Sequence, residues 1–371
     1  MIKLSRASIG EEEKQALARV VDAGYLGMGE EVRLFEGELE NFFGGDRHVI
    51  CVSTGTAALQ LAVSSLGLGP GDEVIIPSIT YVASFQAVSA AGATPVACDV
   101  RKSDVYLDIE DAKRRLTQRT RAIMPVHYAS GTKGLHEVYA FAREHSLRVI
   151  EDAAHSFGGE HDGKRVGTRG DVVCFSFDGI KNITAGEGGA IVTSDDEVAR
   201  RARDARLLGV ERDTEARFAG RRSWSFEVHH QGFRYHMSNL HAALGRAQMM
   251  KVQAFCRRRR ELAARYRKEL AGLNAISMLD LNWHEIVPHI FVVRVLDGSR
   301  DALREALHGQ GIETGFHYQP NHKLAFFSED KELPQAELLA EELLTIPLHA
   351  QLTDTEQTQV IDTIRCFMEK P

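Results

Sequence analysis

Between residues 48 and 193 short apolar segments alternate with helical patterns, and no other feature constrains the fold of this chain as strongly. Strand-like runs fall at 48–52, 73–77, 94–98, 121–126, 148–151, 172–176 and 189–193. Helical periodicity fills 56–66, 82–91, 109–116 and 135–144. This alternation predicts an α/β fold, a mostly parallel central sheet covered by helices on both faces. Right-handed crossovers bring the strand C-termini to one edge, where open sheets of this kind bind ligands. Helical patterns return at 195–208 and 237–272. The texture changes after Leu273: 286–295 reads as a strand, 299–308 as a helix, 315–334 as irregular, and 335–344 and 354–368 as helices. At 371 residues the chain is long for one core. The expected organisation is a large domain over 10–251 and a smaller C-terminal α+β domain over 252–371, with 1–9 a candidate addition to it.

Composition narrows the function classes. The net charge of −7 gives no reason to expect nucleic-acid binding. No run approaches the ~20 apolar residues of a membrane span, and the first residues lack the apolar region of a signal peptide. Cys51, Cys98, Cys174, Cys256 and Cys366 are odd in number and show no C-x-x-C spacing. Three of them lie in strand-like runs, so buried free thiols in a reducing cytoplasm are expected. The Arg257–Arg260 run reads as a solvated helix face.

Two residues carry the chemistry. The segment Ser176-Phe-Asp-Gly-Ile-Lys-Asn182, followed by Gly186-Glu-Gly-Gly-Ala190, places Lys181 in a polar link between two strands. The apolar run 147–150 ends in Glu151-Asp152-Ala-Ala-His155. A lysine that binds an aldehyde covalently and a carboxylate that holds a pyridine nitrogen are the groups a pyridoxal 5'-phosphate (PLP) enzyme needs. Alone, a loop lysine is commonly a solvated charge and an Asp after a strand commonly a turn former. Other segments supply the remaining parts in order. Ser53-Thr-Gly-Thr-Ala-Ala-Leu59 follows the first strand and opens a helix, so Gly55, Thr56 and the first amides form an anion site. Neither a Walker loop nor a G-x-G-x-x-G fingerprint is present. Tyr81, after the second strand, is placed to stack on a flat ring. Asp152 favours protonation of a ring nitrogen, and His155 is placed to bond a ring substituent. Ser176 is a candidate phosphate donor. Lys181, once free, is a base beside the reacting carbons. His229-His230 lacks a spaced carboxylate or Cys partner, so no metal is expected.

With these motifs the chain resembles the DegT/DnrJ/EryC1/StrS aminotransferases, PLP enzymes of fold type I that aminate nucleotide-linked keto sugars. The resemblance takes in Gly24-Tyr-Leu-Gly-Met-Gly29, Phe35-Glu36, Pro125-Val-His127, Gly232 to Ala243, Gly311-Ile312, Pro320-Asn-His322 and Ile346-Pro-Leu-His349. It implies that Lys181 is the covalent lysine, Asp152 the pyridinium partner and His155 the neighbour of the cofactor oxygen. By the same resemblance Tyr81 stacks on the ring, and Gly55, Thr56 and Ser176 form the phosphate cup. It implies L-glutamate as donor, a 4-keto-6-deoxyhexose on a nucleotide as acceptor with a 3-keto sugar as the competitor, and a homodimer with shared active sites. The 315–322 segment resembles the loop near the sugar, which makes His317, Tyr318 and His322 candidate substrate contacts. The chain departs from the family at Gly232-Phe-Arg-Tyr-His-Met237. Arg234 stands where the family has an Asn reaching the neighbouring subunit's cofactor phosphate, and His236 replaces an Arg. Sugar dehydratases on the same fold carry histidine at the lysine position, so Lys181 argues against that activity. A non-catalytic PLP-fold sensor is the rival of another class, and the intact Lys181–Asp152 pair counts against it.

Overall fold

In the strand Val172–Ser176 every residue is buried, as expected where helices cover both faces of a sheet. The computed structural model describes residues 1–221, 225–328 and 331–369. Its main sheet has seven strands: β1 (His48–Val52), β2 (Glu73–Pro77), β3 (Thr94–Cys98), β4 (Thr120–Ile123), β5 (Arg148–Asp152), β6 (Val172–Ser176) and β7 (Gly189–Thr193). Their spatial order is β1-β7-β6-β5-β4-β2-β3. The pairs β2/β3, β2/β4, β4/β5 and β5/β6 are parallel. β7 runs antiparallel to both β6 and β1. Its insertion between them returns the chain across the sheet, so the link from β6 to β7 stays at the edge where β5 and β6 end.

A second sheet of three antiparallel strands holds β8 (Ile276–Met278), β9 (Phe291–Val295) and β10 (Leu343–Ile346) in that order. Two sequence expectations change here. The strand expected over 286–295 is confined to Phe291–Val295. Pro288 has no N–H to give a ladder, and the carbonyls of Val287, Pro288 and His289 accept side-chain bonds instead. The helix expected over 335–344 stops at Glu342, and Leu343 to Ile346 pairs with β9 as a strand. The fourth strand of the main sheet runs only to Ile123, although beyond it the Met124 amide donates to the Ile75 carbonyl and Val126 still bridges to Asp152.

Helix Gly55–Ser65 is nearly all apolar and is buried against β6, β7 and the helix Ala83–Ala90. The expected 237–272 helix is two helices, Asn239–Met249 and Val252–Glu269. The second buries Val252, Cys256, Arg259, Leu262, Ala263 and Tyr266, an i, i+3/i+4 stripe. Arg259 of the basic run is therefore interior rather than solvated. Its guanidinium donates to the carbonyls of His289 at 3.1 Å, Leu348 at 3.3 Å and Pro288 at 3.4 Å. Four of the five free cysteines are buried and Cys366 is exposed.

One buried ion pair fastens the early helices to the sheet. Arg206 is fully buried and pairs with Glu36 on helix Glu30–Phe42. The same Glu36 accepts the amide of Cys51 at 2.8 Å, and Arg206 donates to the Cys51 carbonyl at 2.8 Å. Removing one member of such a pair strands a charge in the interior, which costs about 3–5 kcal/mol. Arg206→Met is expected to lose stability of that order in urea unfolding, and Glu36→Leu with Arg206→Met to recover most of it. Equal losses in the single and double variants would show that the pair's charge is not the cause.

Candidate active site

The C-terminal edge of the main sheet opens into a cavity of about 410 Å³. Its walls come from the four segments that the sequence singles out. Thr54, Gly55 and Thr56 form one side, Tyr81 a second, Asp152 and His155 a third, and Ser176 with Lys181 a fourth; His317 and Tyr318 reach in from the 315–322 segment. Asp178 and Glu187 also line it.

The anion end is built by close packing. Thr54 caps the helix Gly55–Ser65, its hydroxyl accepting the amide of Ala57 at 3.0 Å. The other first-turn amides have no intrahelical acceptor and face a helix N-terminus suited to phosphate. A Cβ at Gly55 would meet the Cβ of Ser176 at 2.8 Å, and one at Gly189 would meet the Thr54 carbonyl oxygen at 2.4 Å. Glycine at both positions lets the helix start, the end of β6 and the start of β7 touch.

Asp152 is the last residue of β5 and lies opposite Cys174 in the parallel register. Its carboxylate is buried, and accepts from the Ser84 hydroxyl at 2.7 Å and the Ala154 amide at 3.2 Å. Thr80 Oγ1 lies 2.9 Å from Ser84 Oγ, which extends the chain. The carboxylate thus has an oriented position and spare lone pairs toward the cavity. His155 stands beside it with Nε2 at 3.0 Å from the Tyr318 hydroxyl, and its buried Nδ1 has no partner. Burial and the Lys181 charge hold His155 well below its usual pKa, so it is a neutral imidazole. Burial pushes His317 down to about 4, and His317 Nδ1 is 2.8 Å from Thr345 Oγ1.

Lys181 occupies the turn between β6 and β7, where its amide donates to the Asp178 carbonyl at 3.1 Å. Burial lowers its pKa from 10.5 to about 8, against the pull of Asp152 and Asp178 in the opposite direction. Desolvation wins because neither carboxylate makes an ion pair with Nζ among the described residues. The amine is therefore available as a neutral base close to ordinary working pH. Its neighbour Asn182 anchors the turn by donating to the Phe157 carbonyl at 2.9 Å and the Val287 carbonyl at 3.1 Å.

Tyr81 is 60% exposed, and its ring sits 5.7 Å from that of Tyr318. One expected site residue lies elsewhere. His322 is buried and satisfied, with Nδ1 2.7 Å from Ser78 Oγ and Nε2 3.2 Å from Glu337. Both ring nitrogens are occupied, so it braces the loop over the end of β2 and does not line the cavity. Arg234 is exposed and outside the cavity of its own chain. Ser84 and His289 were not legible in the sequence. Ser84 is the second residue of the helix Ala83–Ala90, just past Tyr81, and nothing in that segment marks it as a partner of Asp152. His289 meets Lys181 across 108 residues of chain, with Nε2 3.5 Å from Nζ. Away from this cavity, His136, His161 and Asp162 bring three ligand-type atoms within 4.8 Å of one another.

A model of the DegT/DnrJ/EryC1/StrS aminotransferase family matches residues 7–365. The chain belongs to this family. Aminotransferase TlmJ from Streptoalloteichus hindustanus is 34% identical, with a TM-score of 0.91 over 99% of this chain and 98% of that one. DesV from S. venezuelae, solved in complex with a ketimine intermediate, is 36% identical, with a TM-score of 0.89 over 97% and 95%. The PLP form of the putative sugar aminotransferase Spr1654 from Streptococcus pneumoniae is 25% identical, with a TM-score of 0.91 over 99% and 98%. This protein is a sugar aminotransferase, a PLP-dependent transaminase of fold type I. The cavity fits that cofactor: it combines a half-buried amine with no ion-pair partner among the described residues, a buried oriented carboxylate and a helix start packed through glycine. Among the described residues no helix is long and apolar enough to cross a membrane.

The Lys181 environment fixes a pH dependence. Only the neutral amine attacks an aldehyde, so its capture of pyridoxal phosphate by the apoprotein should rise about tenfold per pH unit below pH 8 and level off above it. Borohydride trapping with mass spectrometry of the Lys181 peptide measures this. A rate still climbing to pH 10 would mean that Lys181 is solvated. Between pH 8 and 10.5 the unfolded chain binds the proton that folded Lys181 has released, so this group's contribution makes the apoprotein more stable as pH rises. For Ser84→Ala, loss of a bond to a charged group, worth about 1.5–3 kcal/mol, should weaken cofactor retention about tenfold or more in equilibrium dialysis.

Proposed function

We propose that this enzyme transfers the amino group of L-glutamate to a nucleotide-linked keto sugar, a 4-keto-6-deoxyhexose, for surface polysaccharide or amino-sugar biosynthesis. The observation that carries the proposal is the shared cavity of Lys181 and Asp152, with a helix N-terminus at one side. Bound there, PLP supplies the electron sink for loss of a proton from the carbon bearing nitrogen.

The roles follow from position. Lys181 holds the cofactor covalently and, when displaced, takes and returns the proton at that carbon. Its lowered pKa suits both directions of transfer. Asp152, held by Ser84 and the Ala154 amide, binds the protonated ring nitrogen. His155, on the cavity wall beside Asp152, would neighbour the cofactor oxygen. Gly55, Thr56 and Ser176 receive the phosphate, and the open face of Tyr81 stacks on the ring. Tyr318, beside His155 and Tyr81, and His317 line the same cavity and would contact the sugar. Arg234, exposed on its own chain, would reach the phosphate of a second subunit in a homodimer. We place a large domain at 10–251 and a smaller one at 252–371 with residues 1–9. Ile2 supports this by packing in one core with Leu262, Phe291, Leu307 and Ile361. The buried free thiols suit a reducing, cytoplasmic setting.

Lys181→Ala is expected to lose the covalent link and at least a thousandfold in turnover, as for removal of a covalent and general-base group. Near-normal transamination by that variant would reject the assignment. Incubation of the yellow holoenzyme with L-glutamate should bleach its visible band, and persistence of the band would exclude that donor. Purified enzyme offered several nucleotide-linked keto sugars should aminate a 4-keto substrate, with product mass and position read out. Amination at carbon three would replace the acceptor part of the proposal. Asp152→Asn should retain PLP poorly and abstract the proton far more slowly, and unchanged kinetics would exclude its role.

A further inference from the structure

We propose that His289 is a positioning residue for Lys181, its imidazole Nε2 accepting a hydrogen from Nζ and steadying the lysine in its protonated state. The inference rests on Lys181 being the covalent lysine. Among the described residues, His289 Nε2 at 3.5 Å is the one hydrogen-bond contact of Nζ.

The histidine is held firmly for this task. Its amide donates to Ser130 Oγ at 3.1 Å, and its carbonyl accepts from Arg259 at 3.1 Å. Two residues earlier, the Val287 carbonyl accepts from Asn182, the residue after Lys181, at 3.1 Å. The lysine turn and the histidine segment are thus tied together beside the contact. The His289 ring lies 4.6 Å from that of His155, tilted by 51°, and is almost completely buried. Its Nδ1 has no partner among the described residues, so no neighbour there fixes the tautomer; a protonated Lys181, which has only donors, selects the neutral ring with its lone pair at Nε2. Nζ keeps hydrogens in both protonation states, so an acceptor at Nε2 suits both.

The charged and titratable groups acting on Nζ are Asp152, Asp178 and Arg259, with His155, His317 and His289 close by. Burial and nearby cations hold all three histidines below their ordinary range. Up to about pH 9 the group in this set that changes charge is Lys181 itself, and Arg259, lowered to about 10, follows only above that. An acceptor on its ammonium opposes the desolvation that lowers its pKa. His289 then sets how strong a base the freed lysine is, and keeps the amine aimed at the cavity.

The test compares wild type with His289→Phe, which removes the acceptor and keeps the volume, and His289→Gln, which keeps an acceptor. Competitive acetylation of Lys181 in the apoprotein, read by mass spectrometry from pH 6 to 10, gives its titration midpoint. The midpoint should fall by about half a pH unit or more in the Phe variant and return toward wild type in the Gln variant. In the holoenzymes, kcat of the donor half-reaction should fall about tenfold in the Phe variant with little change in donor KM. An unchanged or raised midpoint in the Phe variant overturns the proposal. Should that variant not fold, His289→Asn, with its shorter reach, is measured with the same expected shift. If wild-type apoprotein fails to capture pyridoxal phosphate at Lys181, the covalent reading itself falls. Capture with an unshifted midpoint removes only the role of His289.

Discussion

The parallel register of β5 and β6 is the constraint on which the site depends. It sets Asp152 opposite Cys174, so both strands finish at the same edge, with Ser176 two residues further out along β6. β7 then enters antiparallel between β6 and β1, which confines the intervening turn to that edge and lowers Lys181 into the cavity. The contact of Gly189 with Thr54 locks the same turn against the helix start. A one-residue slip of β5 would carry Asp152 to the opposite face of the sheet, leaving the amine and the helix start in place without their acid.

Desolvation is the second organising effect. Inside the cavity it outweighs local Coulomb attraction at Lys181, which loses basicity although two carboxylates are near. It also keeps His155, His289 and His317 neutral. A neutral imidazole beside the amine can serve as acceptor without adding a competing positive charge. Arg259 pays most heavily, being wholly interior with carbonyl acceptors and a pKa pushed down to about 10. Its bonds to the carbonyls of residues 288, 289 and 348 fix the path of the segment that brings His289 to the lysine.

The sequence was a good guide wherever local pattern and local chemistry coincide. Strands β1, β2, β3, β6 and β7 fall where apolar runs bounded by turn residues place them, because a strand buried on both faces is written as an uninterrupted apolar run. The reading failed where tertiary demand overrode pattern. Residues 286–290 look like a strand, yet Pro288 and the carbonyls claimed by Ser130, Asn182 and Arg259 take them out of the ladder. Arg259 looks like part of a solvated basic face, but the helix turns it inward with Cys256 and Leu262. His322 sits in a segment that reaches the site, yet spends both ring nitrogens on Ser78 and Glu337.

The sequence by itself determined the sheet-and-helix alternation and the order of the chemical segments, and it singled out Lys181 and Asp152 as candidates, because each is encoded within a dozen residues by hydrophobic period, glycine and a single functional group. Only the tertiary structure decided that these segments share one cavity, that Ser84 orients Asp152 and that His289 lies against Lys181. Those relations join residues 68 and 108 positions apart, and no local preference of the backbone carries information over such a separation; it is created when the strands pair and the segment around His289 is tied to Asn182 and Ser130.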